Sequence, residues 1–355
     1  MVRAGCSLKL YPLSRRDAEV KAFVKRECLK VGKPCRLIQP RDDRYLCEAA
    51  RHIKPMEKSL YKALDEWLGY KAVMKGLNGV ERAAELRRAW DSFSDPCAVS
   101  LDFKKYDQHV RGPVLGEEHS VYVAHTTAPD YLKEILEWQL VNRGRVLCCD
   151  GLVKYVSSGG RMSGDPNTSL GNILICLSGH IMYSQDVGVS VKVLNDGDDS
   201  VIIMERKVVP RFLANLEDWW LKLGFRIGVD SVTRTFERID FCQCRPVCVN
   251  GLWTMIRNPA TAIQKDLTSG ASFCTETERK AWLAAVGEGG LSQYGGVPLF
   301  DAVYRRLKNA GKRSKTSYQW VAELKRSQHY RKTGIPMAKG IAPSTRVSFY
   351  AAFGI

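Results

Sequence analysis

Residues 191–204 restrict the fold more than any other stretch. Val191, Lys192, Val193 and Leu194 lead into Asn195-Asp196-Gly197-Asp198-Asp199, and Ser200, Val201, Ile202, Ile203 and Met204 follow. Branched and apolar residues on both sides suit a pleated, buried surface, and Asp-Gly is a favoured tight-turn pair. The spacing predicts strand, turn, strand, with the adjacent carboxylates Asp198 and Asp199 at the tip of a hairpin. A turn of solvated acids is the plain alternative, because Gly-Asp-Asp arises by chance in roughly one chain in ten of this length. The other segments must decide between the two.

Acids gathered at one point stand out in a chain that is otherwise basic. Its 355 residues hold 54 Lys and Arg against 38 Asp and Glu, a formal charge of +16. That excess favours polyanionic partners, nucleic acid or an anionic membrane. With 45% hydrophobic and 26% charged residues the composition is globular rather than disordered, enough for two ordinary domains or one enzyme with several subdomains. No apolar run approaches the ~18–20 residues of a membrane span, and the most apolar stretch, 173–182, is broken by Ser178, Gly179 and His180. The opening Met1-Val2-Arg3-Ala4-Gly5-Cys6 has no signal-peptide character, so the twelve cysteines are expected to stay reduced in a soluble intracellular protein. Cys242, Cys244 and Cys248 lack a fourth zinc ligand, and packing as small hydrophobes is the favoured expectation for them.

Along the chain, helical spacing is expected over 56–68 and 80–90, while Pro34 and Pro40 favour extended structure over 33–41. Residues 98–102 form a short apolar strand ending in Asp102. Residues 129–140 form an amphipathic helix, and a Gly- and Ser-rich loop over 157–171 precedes a helix over 172–182. A helix carrying Trp219 and Trp220 follows Pro210, then strands near 225–229 and 236–242. From about 251 the chain is basic and helical, with cations crowded into 305–340. Tyr304, Tyr318, Trp320 and Tyr330 there would suit stacking on bases, although core packing is the safer expectation. His109 and His119 are expected to cap or pack.

Three segments carry chemistry. Nucleotidyl transfer uses two divalent cations about 3.5–4 Å apart, and Mg²⁺ prefers oxygen ligands from carboxylates, water and phosphate. Asp198 and Asp199 at a hairpin tip, with Asp102 at a strand end, could supply them. Asp107 lies five residues after Asp102, where it could face a sugar; an acidic helix cap explains this segment equally well. In 163–172, Ser163, Gly164 and Thr168 give a flexible loop of small polar residues, and Asn172 follows one turn later. Asparagine both donates to and accepts from a 2′-hydroxyl, the group that separates RNA from DNA chemistry.

In this order and spacing the segments resemble palm motifs A, B and C of viral RNA-dependent RNA polymerases, closest to the tombusvirus and carmovirus group. LDFKKYDQHV from Leu101 resembles motif A, RMSGDPNTSLGN from Arg161 is similar to motif B, and NDGDDSV from Asn195 looks like motif C. Residues 23–27 and 33–41 resemble the finger segment called motif F. Residues 53–58, Lys75-Gly76-Leu77-Asn78 and Phe241-Cys242-Gln243 are also familiar from that family. The resemblance runs from about 23 to 250.

It implies an α+β right-hand fold around an antiparallel palm sheet. Fingers would occupy 1–95, the palm with an inserted finger segment 96–250, and a basic helical thumb 251–355. It implies RNA synthesis on an RNA template with two Mg²⁺ or Mn²⁺ ions. Asp102 and Asp198 would be the principal metal ligands, with Asp199 in support. Asp107 and Asn172 would recognise the ribose, helped by Ser163, Gly164 and Thr168. Lys25, Lys33, Arg36 and Arg41 would hold the triphosphate. Expected partners are template and product RNA, rNTPs, and an upstream viral replication protein or N-terminal fusion region. Work in the host cytoplasm, at membranes reached indirectly, is the expected location.

Three departures qualify the match. Where motif D often carries a lysine acid, Gly224-Phe225-Arg226-Ile227 is followed by Gly228, leaving Arg226 or Lys222 as substitutes. Few residues precede Phe23, so a longer readthrough or frameshift product is expected. In motif A, Phe103-Lys104-Lys105-Tyr106 replaces the more familiar Ala-Ser-Arg-Phe. A reverse transcriptase and a non-catalytic RNA-binding protein are the alternatives; incorporation of rNTP against dNTP on an RNA template separates all three.

Overall fold

The computed structural model describes residues 2–25, 32, 34–269, 273–311 and 340–355. Helices and strands are mixed throughout, so the α+β class expected from the sequence holds. The strands are β1 (Val20–Val24), β2 (Leu37–Ile38), β3 (Pro96–Phe103), β4 (Val141–Cys148), β5 (Gly151–Ser158), β6 (Lys192–Asp196), β7 (Asp199–Glu205), β8 (Ile227–Thr233), β9 (Cys244–Val249) and β10 (Leu252–Arg257). They make sheets of order β2-β1-β4-β5 and β6-β7-β3-β8, with β9 and β10 as a separate pair. The chain divides into two compact units: residues 1–75, 101–202 and 207–230, and residues 76–100, 203–206 and 231–355.

In the first unit the helix Asp43–Leu68 begins where Asp42 accepts the Arg44 amide and ends at Gly69, whose φ of 72° closes it in the left-handed region. Tyr45, Ala49, Ile53 and Met56 form its buried face, packed with Leu132, Ile135 and Leu136 of the helix Pro129–Glu137 and with Leu170. Each such large side chain taken fully from water contributes ~1.5–3 kcal/mol. The spacing seen over 56–68 is the C-terminal half of this longer helix, more exposed beyond the buried Met56, and the helix tolerates Pro55 inside it.

The loop between β5 and the helix Thr168–Asp186 is anchored from beneath by charge. Glu118, on the helix Gly112–Ala124, accepts from Arg161, from Asn167 Nδ2 at 2.8 Å and from the Tyr122 hydroxyl at 2.8 Å. The Arg161 and Glu118 side chains are wholly buried. Burial works against the Glu118 charge, but Arg161 outweighs it and holds the carboxyl below its ordinary pKa. Gly171 has no side chain for a close-packing reason: a Cβ there would stand 2.3 Å from the Glu118 carboxyl.

The second unit has its own core, in which Val247, Val249 and Ile256 of the β9–β10 hairpin meet Leu291, Phe300, Tyr304 and Phe349. Tyr304 is therefore core, as expected, while Tyr318, Trp320 and Tyr330 lie outside the described residues. Asn250 and Gly251 turn the hairpin with φ of 51° and 85°, the primed-turn geometry that Asn-Gly favours.

Several expected boundaries move. The helix after the Gly- and Ser-rich loop starts at Thr168 rather than 172, and Ser157 and Ser158 belong to β5. The strand expected over 236–242 is a 3₁₀ turn, Phe236–Arg238, followed by Cys242 and Gln243 in the left-handed region. Strand pairing begins only at Cys244, and β10 precedes the helices that were expected from 251. His119 is buried with its ring against Gln139, while the His109 ring meets the Lys105 carbonyl.

Removing one half of the Glu118–Arg161 pair leaves a buried, uncompensated charge. Arg161→Met is expected to cost about 3–5 kcal/mol in urea unfolding, and Glu118→Leu combined with it to recover part of that loss. A single variant within 1 kcal/mol of the parent would contradict this account.

Candidate active site

All residues of the site lie in the first unit. The hairpin connection is shorter than the sequence suggested, because β6 runs on through Asp196 and leaves Gly197 and Asp198 as the two loop residues. Gly197 takes a φ of 87°, which a first loop position of the II′ kind requires. Asn195 buckles the turn: its Nδ2 donates to Gly197 O at 2.8 Å, Asp199 O at 3.2 Å and Ser200 Oγ at 2.9 Å, and its Oδ1 accepts from Gly197 N at 3.3 Å. The backbone of Asn195 is clasped in turn by Ala72 O at 2.9 Å and Met74 N at 2.8 Å. The tip is thereby held on a rigid support.

Strand β3 lies between β7 and β8, and this brings Asp102 to the acids of the tip. Asp198 and Asp102 are both exposed as residues. The Asp198 pKa is raised, chiefly by desolvation, with repulsion from Asp102 and Asp196 adding. The Asp102 pKa is also raised, by desolvation first and then by Asp230 on β8. Asp107 shifts upward too: desolvation dominates and Asp198 adds, against the opposing effects of Asn172 and Arg161.

The Asn172 amide nitrogen donates to Asp107 Oδ1 at 3.1 Å. Its Oδ1 is buried with no hydrogen-bond partner, an acceptor waiting for a donor. The tip is close by, since a Cβ on Gly197 would lie 3.9 Å from Asn172 Cβ. Asp102, Asp107, Asn172 and Asp198 are thus brought together. Asp199 opens β7, half-buried beside them. A cleft of about 420 Å³ is lined by Lys54, Lys75, Asp165, Thr168, Asn172 and Asp198.

Ser163, Gly164 and Arg41 do not line that cleft. Ser163 Oγ accepts from Gln39 N at 3.2 Å, and Gly164 approaches the backbone of 39–40 so closely that a Cβ would stand 2.7 Å from Pro40 Cα. Thr168 Oγ1 donates to Met162 O at 3.2 Å and so braces the loop. Arg41, expected among the triphosphate ligands, is 3% exposed. It donates to both oxygens of Asp165, at 2.7 and 3.1 Å, to Ala18 O at 2.7 Å and to Asn142 Oδ1 at 2.5 Å. Its guanidinium is spent on protein acceptors and anchors the loop at Asp165. Lys25 and Arg36 join through the Lys25 N to Arg36 O bond of 2.8 Å, beside the β1–β2 pairing. Lys33 lies outside the described residues. Arg226 is exposed with its carbonyl accepting from Lys104 N, and Lys222 ends the helix Leu216–Lys222; neither lines the cleft of Asp198.

The site also contains residues that were not singled out as site residues. Lys75 Nζ stands 3.5 Å from Asp196 Oδ1, and Lys54 faces the same cleft. Both fall in segments already noted for their resemblance. Asn195 opens the NDGDDSV segment already noted, and Asp230 had no signal beyond its residue type.

Among the described residues no cluster of three or more His, Cys, Asp or Glu is poised to hold a metal. The donor chemistry nevertheless fits Mg²⁺ or Mn²⁺. Mg²⁺ is usually bound through one or two carboxylates, with water and substrate phosphates completing its shell. Asp102 and Asp198, each disfavoured as an anion by local desolvation and by an acid neighbour, are a pair that a hard cation would relieve.

Raised carboxyl pKa values mean that the folded chain holds protons which the unfolded chain has released. Stability therefore falls as pH rises from the ordinary value of 3.8 through the raised folded values. Asp198→Asn, assayed without divalent ions, is expected to melt higher than the parent at pH 7, with the gap closing toward pH 4. Added Mn²⁺ is expected to raise the parent melting temperature and leave the variant little changed. A variant that melts no higher at pH 7 would contradict the raised Asp198 pKa.

The whole chain, residues 1–355, matches the family described as viral RNA dependent RNA polymerase. It is 38% identical over 356 residues to the RNA-directed RNA polymerase of Turnip crinkle virus, covering 98% of this chain and 45% of that protein. It is 35% identical to the enzyme of the same name from Tobacco necrosis virus (strain A), covering 98% and 49%. For that of Melon necrotic spot virus the identity is 36%, with 98% and 45% covered. The chain thus spans about half the length of these relatives. With its full length matched by that family, and with relatives 35–38% identical over nearly all of it, the chain belongs to the viral RNA-dependent RNA polymerase family.

Proposed function

We propose that the chain carries the catalytic centre of RNA-templated RNA synthesis, joining rNTPs to an RNA 3′ end in replication of a plus-strand viral genome. The observation that carries this reading is the meeting of Asp102 and Asp198 beside the Asp107–Asn172 hydrogen bond. A pair of Mg²⁺ or Mn²⁺ ions, when bound, supplies activation of the attacking oxygen and neutralisation of the departing pyrophosphate. Asp102 and Asp198 hold them, and Asp199 supports the tip. Asp107 and Asn172 meet the ribose, where the unpartnered Asn172 Oδ1 accepts the 2′-hydroxyl proton. Lys25, Arg36 and Lys33 attract the triphosphate, and Lys75 partly offsets the acids of the cleft.

On this reading fingers, palm and thumb correspond to 1–95, 96–250 and 251–355. Template, product, rNTPs and an upstream viral replication protein or fusion region are the partners, in host cytoplasm at membrane-associated sites. A reverse transcriptase is disfavoured by the Asp107–Asn172 pair.

The test is labelled rNTP incorporation on a short RNA template with Mg²⁺ or Mn²⁺. Asp198→Ala is expected to lower template-dependent product by at least ~100-fold, since even outer-shell changes at metal sites cost 10–100-fold. Asn172→Ala is expected to lower the preference for rNTP over dNTP by about tenfold, the worth of one hydrogen bond. Undiminished product from Asp198→Ala would overturn the reading, as would no product from a folded, RNA-binding parent.

A further inference from the structure

A second cleft, about 320 Å³, shares no lining residue with the cleft of Asp198. Arg15, Arg16 and Arg143 line it, with Trp138, Val141 and Glu19 among its walls. The three arginines are exposed, and their guanidinium groups have no ion pair or hydrogen bond among the described residues. The nearby acids are occupied elsewhere. Asp17 accepts from Ser14 N at 2.9 Å and Arg44 Nε at 3.1 Å, Asp42 pairs with Lys21 at 2.6 Å, and Asp165 is taken by Arg41. Glu19 is the one acid lining the cleft, against three guanidinium groups.

The cleft is also built to keep its shape. The buried Arg41 guanidinium binds Ala18 O, which closes the turn Arg15–Ala18, and Asn142 Oδ1, next to Arg143. Asn142 Nδ2 reaches Gln139 O at 2.9 Å, next to Trp138. One interior cation therefore ties together the three stretches that carry the arginines and the indole. Trp138 is half-buried, with its ring centroid 6.3 Å from that of Tyr45.

The positive surface continues on the sheet. Lys21, Arg145 and Lys154 stand abreast on β1, β4 and β5, and Asp42 answers only the first. Like charges directly opposite one another destabilise a sheet, so an uncompensated row is costly in the free chain and is relieved by a polyanion. Arg143 lies two residues along β4 from Arg145, and both are exposed.

We propose that this cleft and the adjoining face of β4 and β5 bind single-stranded RNA outside the catalytic centre. Guanidinium forks suit phosphate, and an indole offers an unpaired base a stacking platform that a duplex cannot use. Arg15, Arg16 and Arg143 hold successive phosphates, Trp138 takes a base, and Arg145 and Lys154 extend the track. The choice of RNA as the polyanion rests on the polymerase reading; the cleft and its charge do not.

The test measures binding of the 355-residue chain to a labelled RNA single strand of about 12 nucleotides, across a salt series and without divalent ions. The triple variant Arg15→Ala, Arg16→Ala, Arg143→Ala is expected to flatten the slope of log K against log salt by about 2, from ~0.7 per phosphate contact. Trp138→Leu is expected to weaken binding roughly tenfold with the slope unchanged. Thermal melts confirm that each variant is folded. A parent that binds while the triple variant keeps its slope overturns the proposal, as does a duplex that depends equally on Trp138. If nothing binds the parent, both this proposal and the polymerase reading fall; loss of incorporation with the binding pattern intact removes the polymerase reading alone.

Discussion

Two buried guanidinium–carboxylate pairs fix one short loop, and the geometry of the candidate site follows from them. Arg161 holds Glu118 at the start of the loop, and Arg41 holds Asp165 at its middle. Taking an ion pair out of water costs free energy, and it is recovered only where other hydrogen bonds complete the shell. Here Asn167 and Tyr122 complete Glu118, while Ala18 and Asn142 complete Arg41. With the start and middle tied, and Asn167 held by Glu118 at the end, the helix Thr168–Asp186 starts at a set position and presents Asn172 to Asp107. A solvated loop of small residues would place that amide far less reproducibly.

The second constraint is electrostatic. A chain of formal charge +16 collects acids here, so that Asp102 disfavours the ionisation of Asp198 and Asp198 that of Asp107. Repulsion of this kind persists only where the scaffold prevents the groups from separating. The two-residue turn buckled by Asn195, and the central position of β3, provide that restraint. Lys75, 3.5 Å from Asp196, moderates the field and opposes the upward shift of Asp198.

Much of this could be read from residue order, because the hairpin and the strand before Asp102 rest on local apolar patterns. The β4–β5 hairpin escaped notice since its outer face carries Arg143, Arg145 and Lys154 among Leu147 and Val156, a mixture that resembles a loop as much as a strand. The β9–β10 hairpin was announced by Asn250-Gly251 between apolar residues, a signal that the expected helical region after 251 obscured. Arg41 was the instructive case. A cation in a basic segment looks like a surface ligand, and nothing local tells that Asp165, over a hundred residues later, will bury it. Glu118 was hidden for the same reason: beside Glu117 it resembles a solvated helix face, and its counter-ion Arg161 is distant in sequence.

The proposed chemistry requires Asp102 and Asp198 to share a divalent ion. The most direct measurement is anomalous diffraction from crystals of the chain grown with template RNA, a non-hydrolysable rNTP and Mn²⁺. The account predicts Mn²⁺ density between the Asp102 and Asp198 carboxylates, with the Asp107–Asn172 pair beside the ribose. Density elsewhere with those two carboxylates unliganded, or Asp102 and Asp198 turned apart in the complex, would contradict it.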